Sequence, residues 1–396
     1  MPRSFWSLFA ALILLLTPLW NPARAANNHP IVLVHGFLGF GPDQFPRSGF
    51  LYWGGKGDVA GHLRTYNGPR TVFTAVVGAI ATNRERAAEL YAQLKGGCVD
   101  YGAQRLAADG SVRAVQCWAA DPANNPQGYP AALYPAWDAA HPLHMIGHSQ
   151  GGTTIRALVE LLEHGDVNAA DANGNRGDLY RGGKVGWIRS VTTISSPHNG
   201  TSLRDAVLDL LPQLRSPLRD WLLANLANWE LAPDGARNFN AWARTSPHVV
   251  YFSIGTQATE AGALCCNGTD RLIAPLQNRH YQYPRSDMFA YYKTYAGEWI
   301  VPSMLQHGMG GYTQDTPGRV RIDRAWFAND GVVNTVSMRA PGGHPVREFD
   351  GRPEPGTWNY LGTYRGYDHF DVLNWPNNGP SADVIYERVS DILFGL

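Results

Sequence analysis

Residues 143–162 read Leu143-His144-Met145-Ile146-Gly147-His148-Ser149-Gln150-Gly151-Gly152-Thr153-Thr154-Ile155-Arg156-Ala157-Leu158-Val159-Glu160-Leu161-Leu162, and this stretch decides the fold. A short apolar run meets Gly-x-Ser-x-Gly, and positions 155, 158, 159 and 162 then carry apolar residues at helical spacing. Strand, tight glycine turn and helix are the context that turns a common five-residue pattern into a nucleophile elbow. Small residues at 147 and 151 let the turn close with only the Ser149 side chain pointing outward. The helix N-terminus behind Ser149 favours negative charge developing in front of it.

Upstream, Ile31-Val32-Leu33-Val34 is a continuous apolar run, read as a buried parallel strand. Residues 71–77 and 185–194 read as further buried strands, residues 83–94 as a helix with Ala87, Leu90, Tyr91 and Leu94 on one face. Residues 96–142 lack periodicity and read as a long surface excursion. Strand and helix patterns alternate four times, which predicts an α/β fold with a mainly parallel central sheet and helices on both faces. Residues 248–254 and 332–336 look like later strands. Residues 382–396 look like a closing helix, with Val384, Ile385, Val389, Ile392 and Leu393 inward.

Residues 1–25 have the form of a cleavable secretory signal: Arg3, an apolar block over 5–20, then Ala23-Arg24-Ala25. At about 16 residues followed by Pro22, the block is short of the ~20 a spanning helix needs. No later segment is a membrane candidate, so an exported protein without stable membrane insertion is expected, with residues 26–396 as one catalytic domain. Lysine plus arginine equals aspartate plus glutamate, 33 of each. Nothing in this balance suggests nucleic acid, for which a basic patch would be the first requirement. Four cysteines lie at 98, 117, 265 and 266, a spacing that makes no zinc ribbon or redox motif.

The first strand ends in a glycine-rich loop, His35-Gly36-Phe37-Leu38-Gly39. In α/β-hydrolases such a loop supplies one oxyanion-hole amide and the residue after the nucleophile supplies the other, which assigns Phe37 and Gln150. The same fold orders its triad serine, acid, histidine. His369, just before the closing helix, is preferred as base over His344, whose loop offers no neighbouring structure to hold an imidazole. Asp323, Asp330, Asp350 and Asp368 all precede His369, and spacing leaves the acid open among them.

The chain resembles the thermoalkaliphilic true lipases of Gram-positive bacilli, a subfamily of α/β-hydrolases. Matching stretches are Ile31 to Gly39, Tyr52-Trp53-Gly54-Gly55, Tyr91-Ala92-Gln93-Leu94, Val99-Asp100-Tyr101-Gly102, His148 to Gly152, Ser190 to Thr201, Asn329 to Met338 and Asp368-His369. The resemblance implies Ser149 as nucleophile, Asp330 as acid and His369 as base, with Phe37 and Gln150 as oxyanion donors. The elbow departs at Gly147, where that subfamily has alanine.

Those lipases carry a zinc site of two aspartates and two histidines. Asp58 matches one aspartate, but Arg105 and Ser111 stand at the histidine positions and the second aspartate falls in a shortened stretch. One carboxylate cannot supply the ~4 ligands zinc wants, so no zinc is expected. A disulfide between Cys98 and Cys117 is expected instead in this excursion. The family's calcium site implies Asp371 as acidic ligand, a backbone carbonyl near Asp287 and further ligands around Trp375-Pro376.

Residues 201–232 form an expected helical lid. Ser202 and Asp205 have capping-box spacing, and Leu203, Val207, Leu210, Leu211, Leu214, Leu218, Trp221, Leu222, Leu226 and Trp229 recur at three- and four-residue steps. The activity all this implies is that of a secreted triacylglycerol lipase acting on lipid or ester at an interface through an acyl-enzyme on Ser149. A carboxylesterase or polyester hydrolase is the alternative, and a non-catalytic binding protein on a hydrolase scaffold is the third reading.

Overall fold

The computed structural model describes residues 27–44, 49–102, 115–205, 230–258, 260–261, 281–282, 309–310, 312–375 and 381–396. Its strands in chain order are β1 (Ile31–Val34), β2 (Val72–Ala75), β3 (Gly97–Cys98), β4 (Cys117–Trp118), β5 (Leu143–His148), β6 (Ile188–Ile194), β7 (Val250–Gln257), β8 (Glu260–Ala261), β9 (Tyr281–Gln282), β10 (Val346–Glu348) and β11 (Trp358–Arg365). The α-helices are α1 (Val59–Thr65), α2 (Asn83–Lys95), α3 (Gln150–His164), α4 (Pro233–Trp242) and α5 (Asp383–Phe394). Seven strands form one sheet in the order β10-β11-β7-β6-β5-β1-β2. Every neighbouring pair in it runs parallel. This is the α/β-hydrolase arrangement expected from the alternation of strand and helix patterns.

Burial on both faces explains why the strands read as unbroken apolar runs rather than alternating ones. Ile31 and Leu33 of β1 pack towards Leu63 of α1 and Ile385, Val389 and Leu393 of α5. Val32 and Val34, one residue out of step, pack towards Leu90 and Leu94 of α2 and Ile155 and Leu158 of α3. Each fully buried aliphatic side chain contributes about 1.5–3 kcal/mol, so these two layers supply most of what holds the sheet. Helix α2 starts on a capping box, Thr82 with Glu85. Among the described residues no helix is long and apolar enough to cross a membrane.

The later chain departs from the sequence reading. Residues 332–336 are not a strand but a turn entering a 3-10 helix, Thr335–Met338. The Asp330 carboxylate accepts the amides of Val332 and Val333, and this local alternative removes donors that a ladder would need. Strands β10 and β11 were hidden by glycine and proline between them. His344 is held after all, by Thr245 Oγ1 at 2.6 Å and the Asn240 carbonyl at 3.1 Å. Val384 is 53% exposed rather than inward. The 96–142 excursion is not wholly superficial, since Trp137 is fully buried and lies edge-on to Trp187. It also contains the β3–β4 ladder, across which Cys98 and Cys117 are joined.

Of the expected lid, residues 206–229 lie outside the described residues, as do residues 1–26, Arg105, Ser111, Cys265 and Cys266. At the lid's near edge Ser202 donates its amide to Asn334 Oδ1, and Asp205 pairs with Arg204 and Arg319. These partners differ from a reciprocal capping box.

Candidate active site

In a parallel α/β sheet, functional groups gather beyond the carboxyl ends of the strands. Ser149 follows β5 immediately and sits at φ 54°, ψ −128°, a conformation costing a non-glycine residue about 1–3 kcal/mol. Its amide is held by the Ile194 carbonyl at 2.9 Å, and its side chain is the one exit from the turn. The glycines around it have no room for a methyl group. A Cβ on Gly151 would collide with the Val34 carbonyl, and one on Gly152 with the Ser196 hydroxyl. Helix α3 therefore lies directly on β1 and β6, with its N-terminus fixed behind Ser149.

His369 follows β11 in a tight turn. Asp368 Oδ1 accepts the amides of Phe370 and Asp371, and Asp371 Oδ2 accepts the amide of Asp368 at 2.7 Å. The imidazole donates from Nδ1 to Asp330 Oδ2 at 2.7 Å, and the His369 amide donates to the Asp330 carbonyl at 3.1 Å. Asp330 is fully buried. Its Oδ1 takes the Val332 and Val333 amides, and its Oδ2 also takes the Thr256 hydroxyl at 2.7 Å. Four donors hold one carboxylate, so a buried charge is compensated and aimed. Of the four candidate acids, Asp330 is the one placed against His369; Asp350 is exposed and paired with Arg347, and Asp323 caps a short 3-10 turn.

The loop after β1 lies against the elbow: a Cβ on Gly36 would sit 2.7 Å from that of Ser149. The Gly36 carbonyl accepts from His35 Nδ1 at 2.9 Å and from Arg86 Nη1 at 3.3 Å. Because a peptide unit is planar and trans, fixing the Gly36 oxygen on one side aims the Phe37 N–H to the other. His35 Nε2 in turn accepts the Val77 amide at 3.2 Å, which fixes a neutral imidazole, and burial beside Arg86 lowers its pKa to about 3. Arg86 is fully buried and gives its remaining donors to Thr154 and to the His35 and Gly78 carbonyls. Desolvation lowers its pKa to about 10. Gln150 is the first residue of α3, where the backbone amides have no acceptor within the helix; its side chain is drawn aside to the Ala81 carbonyl.

The structure thus gathers Ser149, His369, Asp330, Phe37 and Gln150 at one end of the sheet. Of the expected calcium ligands, Asp371 is buried beside His369 and Trp375 donates its indole N–H to the Tyr52 carbonyl at 2.9 Å; Asp287 and Pro376 lie outside the described residues. Asp58 has its carboxylate on the Gly61 amide as N-cap of α1. Sequence reading overlooked the supports: His35, Arg86, Thr256, Tyr52 and His148. A charged residue on the apolar side of a predicted helix, as Arg86 is, was the available signal.

Residues 27–210 match the family model described as lipase-like, C-terminal domain. The lipase of Staphylococcus hyicus is 29% identical over 94% of this chain, which spans 58% of that protein's length. The chain thus spans little more than half of that curated relative, and 50% of the Staphylococcus epidermidis lipase. Among solved structures, EstA from Clostridium botulinum superposes with a TM-score of 0.72 at 28% identity, over 95% of this chain and 89% of that one. Lipase 1 from Pelosinus fermentans superposes with a TM-score of 0.69 at 31% identity, over 93% of this chain and 99% of that one. With its parallel sheet, its serine elbow and this near-complete correspondence, the chain belongs to the bacterial true lipases of the α/β-hydrolase type.

Proposed function

We propose that this protein is a serine ester hydrolase and that its substrates are triacylglycerols. The observation that carries the reading is the buried Asp330–His369 pair brought to the end of the sheet that presents Ser149 on its strained turn. In this reading the serine hydroxyl attacks the ester carbonyl while His369 Nε2 takes its proton. The Phe37 and Gln150 amides hold the resulting oxyanion, and the proton passes to the leaving alkoxide. Water repeats the sequence on the acyl-enzyme, releasing the fatty acid. Leu38 of the oxyanion loop and Ile80, next to the Ala79 carbonyl that accepts the Leu38 amide, are 55% and 54% exposed and favour an apolar acyl chain over a polar one.

A p-nitrophenyl alkylphosphonate tests the chemistry. One p-nitrophenolate should be released per chain, with the phosphonyl mass on the peptide containing Ser149. Absence of the burst, or an adduct elsewhere, removes the proposal. Hydrolysis rates across acyl lengths, below and above each ester's solubility limit, then separate a lipase from a carboxylesterase or polyester hydrolase. A lipase gains activity above the limit, as the apolar span 201–232 suggests for a lid.

The same reading includes export through a leader over residues 1–25, in keeping with an oxidised Cys98–Cys117 pair. It also includes a calcium ion bracing the His369 turn. Asp371 is a buried carboxylate two residues after His369, an oxygen donor of the kind a hard cation takes. Asp371 would hold it together with the Asp287, Trp375 and Pro376 positions, supplying rigidity and no reacting group. Zinc is not part of the reading, since Arg105 and Ser111 stand where the resembling lipases have their histidine ligands. Chelation should lower the melting temperature, and added calcium should restore it; an unchanged melting temperature and activity would remove the calcium ion from the reading.

A further inference from the structure

An unbroken chain of hydrogen bonds crosses behind Ser149. The Gly36 amide donates to Tyr52 Oη at 2.8 Å, and Tyr52 Oη lies 2.6 Å from His148 Nδ1. His148 Nε2 lies 3.0 Å from the His369 carbonyl. A carbonyl only accepts, so His148 must carry its hydrogen on Nε2, and its Nδ1 then accepts the Tyr52 hydroxyl proton. Every donor therefore points the same way, from the oxyanion loop to the histidine loop.

The rings themselves are fixed. Tyr52 is 5% exposed and His148 1% exposed. The His148 and His369 rings lie 4.6 Å apart, centroid to centroid, and Tyr52 packs edge-on against Trp53, Phe40 and Trp375. Burial and the facing His369 hold His148 well below the usual imidazole range, and burial raises the Tyr52 phenol, so both groups stay neutral. Titratable groups facing this pair from the packed elements are His35, Arg86, His369 and Tyr386. A neutral relay of this kind bears on geometry and not on charge.

We propose that Tyr52 and His148 act as positioning residues, a two-ring strut that sets the distance between the oxyanion loop at Gly36 and the base at His369. The two loops come from opposite ends of the chain, and this relay joins the Gly36 amide to the His369 carbonyl. The strut passes through the residue preceding the nucleophile, so all three parts of the site share one mechanical reference. The inference rests on Ser149, His369 and the Phe37 amide having the roles proposed above.

The experiment compares Tyr52→Phe, His148→Gln and the double variant with the parent protein on a soluble p-nitrophenyl ester, with rates expressed per phosphonate-titrated site. Loosening two loops disturbs the transition state more than ground-state binding, so Tyr52→Phe should lower kcat about 10-fold with KM within about twofold; a 1 Å misplacement costs up to ~100-fold. His148→Gln keeps a donor for the His369 carbonyl but loses the acceptor for Tyr52, and should fall by a similar factor. A strut cut once is cut, so the double variant should fall no further than the worse single one. Single variants that keep kcat within about twofold, or single effects that multiply in the double variant, overturn the strut. Failure of the underlying serine reading appears separately, as a parent protein that releases no p-nitrophenolate, and overturns both.

Discussion

Ser149→Ala is expected to lower kcat for a soluble ester by about five to six orders of magnitude, and His369→Ala by a similar factor. The double variant should be no worse than either, because nucleophile and base act as one unit and removing one leaves the other without a task. The residue left behind is still flanked by the loop after β1 and the start of α3, so activity about 10^3-fold above the uncatalysed rate should remain from the oxyanion amides and binding. Folding should be little affected. Ser149 has an unfavourable φ of 54°, and its hydroxyl is not what holds the turn; the amide bond to Ile194 and the close-packed glycines are. Rates with the three variants, alongside their melting temperatures, check this. A Ser149→Ala protein that turns over ester at the parental rate would discard the site entirely.

Asp330→Asn should lower kcat by about 10^4-fold at neutral pH while leaving KM nearly unchanged. The direction follows from which atoms surround the carboxylate. Backbone amides of Val332 and Val333 fix the acceptor oxygen of an introduced amide on the Oδ1 side. Its NH2 must then occupy the Oδ2 side, facing His369 Nδ1 and Thr256 Oγ1. An imidazole nitrogen facing a donor has to accept, so His369 would carry its hydrogen on Nε2 and could not take a proton from Ser149. The overall packing survives, since the side chains are nearly the same size. Thr256→Val, which removes one donor without reversing the tautomer, should cost far less. Equal losses in the two variants would overturn the tautomer account.

What the sequence revealed of the site tracked how local each signal was. The elbow was legible because strand, turn and helix lie within twenty consecutive residues, and its glycines report steric contacts that follow from the turn itself. Asp330 was not legible from spacing, because its selection depends on β7 and β11 lying side by side, a pairing of residues 251–257 with 358–365. Resemblance chose it, and the structure places its carboxylate 2.7 Å from His369 Nδ1. The 332–336 segment misled because its valines suit a strand, whereas the adjacent carboxylate captures their amides. His344 misled for the opposite reason, since the groups that hold it come from α4 and the loop after it, about a hundred residues away. Arg86 and Tyr52 were missed as supports because their side-chain partners, Thr154 and His148, lie 68 and 96 residues away in sequence, and their other partners are backbone atoms of the early loops.

The order of the sheet has a consequence for biosynthesis. Strands β1, β2, β5 and β6 and helices α2 and α3 are all made before residue 200, and they contain the serine and both amide-bearing turns. The acid and base arrive only with residues 330 and 369, after β7 has been laid down to receive β11. The segments of the elbow and the residues proposed to activate it are thus separated by nearly half the length of the chain. On the proposed reading, Ser149 gains its acid and base only once the chain has run through the last strand of the sheet.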